Sequence, residues 1–446
     1  MFQTINPATG EVVQTYNYMS LAEIDQSLAA ARASSLVWKK TTLSQRESVL
    51  RSMAARLREN QNDLAQMIHL EMGKKHSAAL AEIEKSAFTC EYFASRGSEL
   101  LRPQRQESSY KISEICFEPL GVVLSIMPWN FPVWQFIRFA APAILSGNVI
   151  LLKHANITAG CATLIEKVFK DLFSTQLIFN LRMDHAETTR VIRSPVVQGV
   201  TFTGSTGGGR EVAKVAGEAL KKTVLELGGS DAYIVLPDAD LEGAARMCVA
   251  GRMVNNGQSC IAVKRVIVCK EIFESLVPLL KKEMSSYAIE ALAHLKFQSQ
   301  VQFQVEKLMA AGGRVLLGGS IPERVGAFYP PTLIVFDEDA AVIHEEEIFG
   351  PVLVVIKAAS LDDAFVMANA SPFGLGGGLF SKDEDRAKFL ALKKLDAGFV
   401  VVNDFVKSDP RLPFGGVKDS GYGRELSVFG LYEFCNIKTV AIGELS

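Results

Sequence analysis

The stretch NNGQSCIAVKR, residues 255–265, sets one cysteine, Cys260, after small and amide side chains and ahead of two cations. A nucleophilic thiol needs access, small neighbours and help in forming thiolate. Gly257 and Ser259 supply room, and Asn255, Asn256 and Gln258 supply polarity. Lys264 and Arg265 follow without fixing where they point. No histidine lies near in the chain, so a base has to come from elsewhere. One candidate is Glu226 in KTVLELGGSD (222–231), a carboxylate inside an apolar strand and before two glycines. Such a group is paired, solvated at a cleft or kept protonated, and each case perturbs its proton affinity, which suits a general base. It reads equally as a structural carboxylate at a strand end. PWNFP (128–132) presents Asn130 between two aromatics and two prolines. An amide on so stiff a loop suits an oxyanion, although an Asx-turn is the commoner use of Asn in a loop.

A second set concerns anions. In VTFTGSTGGGR (200–210) a strand ends at Thr203-Gly204-Ser205 and a helix begins at the glycines. Backbone N–H groups at such a start can hold a phosphate. Arg210-Glu211 stands where a Walker loop needs Lys-Ser/Thr, and alone the loop reads as an ordinary glycine-rich turn. EEEIFGP (345–351) and LPFGGVKDSGYGRE (412–425) mix charge, aromatics, glycine and proline. They suit a cleft mouth and a plain surface loop alike.

These residues need elements to position them. The first hundred residues read as helices, with capping-box patterns at Ser20–Glu23 and Ser44–Glu47. SSYKISEICF (108–117) alternates and reads as a strand. From 121 the apolar runs GVVLSI, NVILLK, LIFNL and VQGVTFTG alternate with helical patterns near 158–172, 184–193 and 207–220. Continuous apolar strands between helices indicate a parallel sheet covered on both faces. After Gly229 a second series follows: DAYIVL, VKRVIV, RVLL, TLIV, PVLVVIKA and GFVVVND, with helices near 240–255, 270–286, 361–370 and 383–395. The tail, Leu431–Ile442, is again β-like. An early and a late strand outside both series could add to another subunit's sheet.

Length and composition agree. A chain of 446 residues exceeds one ordinary core. A net charge of −2, with 22% charged residues, favours neither nucleic acid nor an anionic membrane. The start, MFQTINPATG, does not read as a signal peptide. Phe136–Leu152 is too interrupted to span a bilayer. The seven cysteines are scattered, with no CxxC and no zinc-type cluster. Free thiols, a cytoplasmic location and no metal site are expected.

In order along the chain, INPATGE, PWNFP, GNVILLK, FTGSTGGGR, LELGG, GQSC, EEIFGP and PFGGVKDSGYGRE resemble the aldehyde dehydrogenase superfamily, over residues 5–425. The resemblance implies that Cys260 is the nucleophile, Glu226 the general base and Asn130 the oxyanion-holding amide. It implies that Lys153 reaches the adenosine ribose and that Gly204 and Ser205 form the pyrophosphate-side turn. Glu347 and Phe349 would hold the nicotinamide ribose, and Trp129 would wall the cofactor. The implied architecture is α/β: a Rossmann-type cofactor domain (1–102 and 119–227), a catalytic domain (228–429) and a β oligomerisation element (103–118 and 430–446). A homodimer or homotetramer is expected.

NFPVWQFIRFAAPAILSGN is most similar to the succinate-semialdehyde dehydrogenase branch, where Arg138 and Ser408 would meet a substrate carboxylate. Arg138 also reads as a helix-capping or surface arginine. A second arginine of that branch falls at Val254 here, and Arg252 would face elsewhere. Asn156 stands where NAD-preferring members carry a glutamate, so the expectation is NAD with use of NADP as well. FKDLFSTQLIFN and SSYAIEALAHLKFQ are contracted against the family. The competing readings are a broad-specificity enzyme for uncharged aldehydes, which Val254 favours, and an inactive nucleotide-binding homologue, which the retained Cys260, Glu226 and Asn130 oppose.

Overall fold

The computed structural model describes residues 1–444. Leu445 and Ser446, the end of the expected oligomerisation element, lie outside the described residues. Two α/β sheets organise the rest, and the α/β class read from the sequence is borne out. The first sheet has six strands in the order Gly421–Tyr422, Lys222–Glu226, Val197–Thr203, Val122–Met127, Val149–His154 and Ile178–Asn180. Five run parallel, and the short Gly421–Tyr422 strand pairs antiparallel with Lys222–Glu226. Val122–Met127 is buried along its whole length, as expected of a central strand covered on both faces. The second sheet has seven strands in the order Arg314–Leu317, Thr332–Phe336, Val352–Ala358, Arg265–Cys269, Ala232–Val235, Gly376–Phe380 and Phe399–Val402. It is parallel except where Arg314–Leu317 pairs with Thr332–Phe336.

A third, antiparallel sheet joins Cys435–Ile442, Ile112–Pro119 and Gln104–Arg105. Its outer strand exposes Ile437, Val440 and Ile442. Residues 427–433 form a helix rather than the start of the β-like tail. Among the described residues no helix is long and apolar enough to cross a membrane.

Three local features differ from the sequence reading. Phe2–Ile5 and Val12–Tyr16 pair as a hairpin within the stretch read as helical. These strands are short and largely exposed, so they carry little hydrophobic signal. The helix Leu295–Ala310 was not anticipated, because Gln298 and Gln304 lie on its buried face beside Val301, Val305 and Leu308. The helix Leu43–Glu59 is capped two residues earlier than the Ser44–Glu47 pattern suggests. Thr42 Oγ1 accepts from Gln45 N (3.3 Å), and Gln45 Oε1 accepts from Thr42 N (2.9 Å). Glu47 instead accepts from the backbone N–H and hydroxyl of Ser98. Thr42→Ala is therefore expected to destabilise the fold by about 1 kcal/mol, and Ser44→Ala by less than ~0.5 kcal/mol. Melting temperatures of the two variants check this, and the opposite ranking would restore the Ser44 cap.

Candidate active site

The helix Leu241–Met253 ends just before the cysteine loop. Asn255 and Asn256 then take left-handed backbone (φ 52° and 54°), followed by Gly257 at φ 74°. Asn tolerates that region because its short amide bonds locally. At Gly257 only glycine fits, since a Cβ there would lie 2.2 Å from the Gly350 carbonyl oxygen. The IFGP turn thus backs the cysteine loop. Arg252, fully buried, donates to the carbonyls of Gly257 (3.3 Å) and Ile348 (2.9 Å) and clamps the two together.

Cys260 lines a cavity of about 320 Å³. Phe131, Trp134, Ile261, Phe405 and Phe414 give the cavity apolar walls. Burial pushes the Cys260 thiol up to about 12; Arg138 and Lys264 oppose the shift, while Glu347 and Glu226 add to it. The two cations downstream divide their work. Lys264 Nζ donates to the carbonyls of Ser259 (2.9 Å) and Cys260 (2.5 Å) and pairs with Glu347 at 3.3 Å. Arg265 turns away and donates to Ser230, Met367 and Ala368 carbonyls and to His344, so it is structural.

Glu226 ends its strand 2% exposed, with neither carboxyl oxygen hydrogen-bonded within the described residues. Burial raises its proton affinity well above the usual carboxylate range; Arg138 pulls it down and Glu425 pushes it up. Asn130 is held from three sides. Its Nδ2 donates to Gln258 O (3.1 Å), and its carbonyl accepts from Asn255 Nδ2 (2.8 Å) and Lys74 Nζ (3.0 Å). One amide hydrogen is thereby committed and the second is left for a ligand.

On the other side, Trp129 stacks on Phe297 (4.6 Å, 17°) and meets Phe349 edge-on (5.6 Å). Glu347 Oε1 accepts from Gly229 N (3.1 Å), and a Cβ on Gly228 would come within 2.5 Å of Glu347 Oε2. Gly204 N donates to the Glu226 carbonyl, tying the glycine-rich turn to the LELGG strand. Ser205 caps the helix Thr206–Glu218, accepting from Gly208 N at 3.3 Å. The N–H groups of Thr206 and Gly207 have no acceptor among the described residues. Lys153, near the end of the strand Val149–His154, which Val122–Met127 separates from Val197–Thr203, is half-buried, and burial lowers its proton affinity. Asn156 donates to the Tyr18 hydroxyl at 2.9 Å. A helix start with free N–H groups fits a dinucleotide's phosphates, and Lys153 on the same sheet fits its ribose.

Arg138 and Ser408 both reach the cavity wall. Arg138 is 2% exposed, forms a buried ion pair with Glu425 and lies 4.5 Å from the Phe414 ring centroid. Val254 lines the same cavity, while Arg252 does not. Sequence reasoning missed Lys74, Glu82, Lys85 and Phe297. Ala78, Ala81, Glu82 and Lys85 recur at helical spacing and all line the cavity, but such spacing also describes any helix face. No metal-binding cluster of acidic, histidine or cysteine side chains occurs among the described residues.

Residues 1–440 match the aldehyde dehydrogenase family. The chain is 42% identical over 448 residues to the NAD(P)+ succinate semialdehyde dehydrogenase Sad of Escherichia coli, covering 98% of this chain and 97% of that protein. It is 41% identical over 454 residues to the NADP(+) succinate-semialdehyde dehydrogenase 1 of Mycobacterium tuberculosis, covering 98% and 99%. Among solved structures it is similar to the succinic semialdehyde dehydrogenase of Streptococcus pyogenes in complex with NADP+, with a TM-score of 0.96, 33% identity and 100% of both chains covered. The chain belongs to the aldehyde dehydrogenase family. It is an NAD(P)-dependent oxidoreductase.

With a thiol pushed up to about 12, the cofactor-free protein holds Cys260 neutral at pH 7. Alkylation of Cys260 by iodoacetamide is expected to climb about tenfold per pH unit between roughly pH 7 and 9. Peptide mass spectrometry of the time course checks this. A plateau near pH 8 would mean that the thiolate forms without a ligand.

Proposed function

We propose that the chain oxidises succinate semialdehyde, or a similar short aldehyde ending in a carboxylate, to the acid. The observation that carries this reading is one cavity with the Cys260 thiol and a cationic, hydroxyl-bearing wall that includes Ser408 and Arg138. The names of the relatives from Escherichia coli, Mycobacterium tuberculosis and Streptococcus pyogenes support it.

The Cys260 thiol gives up its proton to solvent, with the charges of Arg138 and Lys264 favouring the thiolate. Sγ of Cys260 adds to the aldehyde carbon. The charge on oxygen is received by the free Asn130 amide hydrogen and the Cys260 backbone N–H. A bound nicotinamide supplies the two-electron acceptor for the hydride on that carbon. Cys260 then holds a thioester. Glu226, once ionised, takes a proton from water, the hydroxide adds to the thioester carbon, and the C–S bond breaks as that proton passes to the leaving thiolate, releasing acid and thiol. The apolar walls keep other water away.

For the cofactor, Gly204, Ser205 and Lys153 take the phosphate and ribose side. Glu347, Phe349 and Trp129 take the nicotinamide side. The sequence reading leaned to NAD. Asn156, bound to Tyr18, places no carboxylate against a 2′-phosphate, and the relatives' names run to NADP or to both. We take both dinucleotides as usable, with NADP at least equal to NAD. The exposed Ile437, Val440 and Ile442 on the third sheet support subunit association there, as a dimer or tetramer. A cytoplasmic setting suits seven free cysteines.

The test is reduced-nicotinamide absorbance with succinate semialdehyde and with butanal, each with NAD and NADP. The expected kcat/KM for the carboxylated substrate is greater by about 10²-fold or more, the size of effect that follows when a built polar site loses its ligand group. Asn130→Ala is expected to lower kcat about 10²–10³-fold. Equal turnover of both aldehydes would favour the broad-specificity reading. Dinucleotide binding without turnover of either would favour an inactive homologue.

A further inference from the structure

Four lysines and arginines line the Cys260 cavity: Lys74, Lys85, Arg138 and Lys407. Three have a carboxylate partner. Lys74 is paired with Glu82, Arg138 with Glu425, and Lys407 with Asp404. The Arg138 guanidinium is also shielded from solvent at Nε and Nη2, neither of which has a hydrogen-bond partner among the described residues beyond that ion pair. Lys85 differs: among the described residues no carboxylate lies within ion-pair reach of it. Asp409 acts on it only at a distance and is itself paired with Arg411. Its Nζ donates to Ser408 Oγ at 2.8 Å and sits 4.2 Å from the centroid of the Trp134 ring. An ammonium has three donors, and Ser408 accounts for one.

We infer that Lys85, with Ser408, is the specificity-determining anchor for the substrate carboxylate. This rests on the proposed function and names the group that carries its specificity. A wall built only of paired charges is close to neutral and has little net attraction for an anion. Lys85 supplies the one uncompensated positive charge, half-buried against apolar and aromatic neighbours where it acts through a low dielectric. Burial and then the nearby Arg138 charge lower its proton affinity to about 8 against opposition from Asp409 and Glu82, and an entering carboxylate reverses that shift. Lys85 also accounts for Val254, because the second cation reaches this cavity from the helix His76–Leu100 and not from the cysteine loop. The aldehyde carbon then lies towards Cys260, and the far end of a short chain towards Lys85 and Ser408.

The test compares wild type, Lys85→Met, Lys85→Gln and Lys85→Arg through the ratio of kcat/KM for succinate semialdehyde to that for butanal, at saturating NADP. The neutral variants are expected to lower the ratio about 10–100-fold, chiefly through KM for the acid substrate. Lys85→Arg should recover most of it. Lys85→Gln, of similar length, carries the same expectation should Lys85→Met not fold. An unchanged ratio in the neutral variants, with wild type preferring the acid substrate, would overturn the Lys85 assignment and leave the proposed function standing. A wild type without that preference would overturn both.

Discussion

The buried pair Lys74–Glu82 ties the active site together. Both side chains are almost fully out of water, so their charges are held by each other, by the backbone and, for Lys74, by the Phe131 ring 3.9 Å away. Lys74 also donates to the Asn130 carbonyl. Glu82 accepts the N–H groups of Val133 and Trp134, where the helix that carries Arg138 begins. From the other side, the Asn130 amide and carbonyl bond the cysteine loop through Gln258 and Asn255. One ion pair thus fixes the PWNFP loop, which leaves the first sheet, against the loop that carries Cys260 beside the second. Removal of either charge would strand the other in a desolvated site and loosen both loops.

The same desolvation sets the chemistry. Cys260 and Glu226 both favour their neutral forms at rest, for the same reason and with opposite consequences. A thiol that ionises reluctantly is protected from stray reaction. A carboxyl with high proton affinity is an effective base once ionised. Arg138 stabilises the charged form of each, which gives the Arg138–Glu425 pair an electrostatic role at the centre of the site whatever meets the substrate.

Much of this was legible in the sequence. Apolar runs alternating with helical patterns marked both parallel sheets, because a strand buried on two faces has no choice but to be apolar. The motif residues were legible as a set, since glycines and prolines at fixed spacing reflect backbone constraints such as Gly257 against Gly350. What stayed hidden was pairing across long separations. Glu425 beside Arg138, Glu82 beside Lys74 and Ser408 beside Lys85 are each set by tertiary folding and leave no local trace. The Ser44–Glu47 pattern misled for the same reason, because Glu47 is taken up by Ser98 from another helix.

The central claim is that Cys260 carries the acyl group of a carboxylated aldehyde before water releases it. The most direct measurement is intact-protein and peptide mass spectrometry of Glu226→Gln after mixing with succinate semialdehyde and NADP. Without its base the thioester should persist, and the Cys260 peptide should gain the mass of one succinyl group while NADPH appears in a single stoichiometric burst. NADPH formation with an unmodified Cys260, or with the label on another cysteine, would contradict the account.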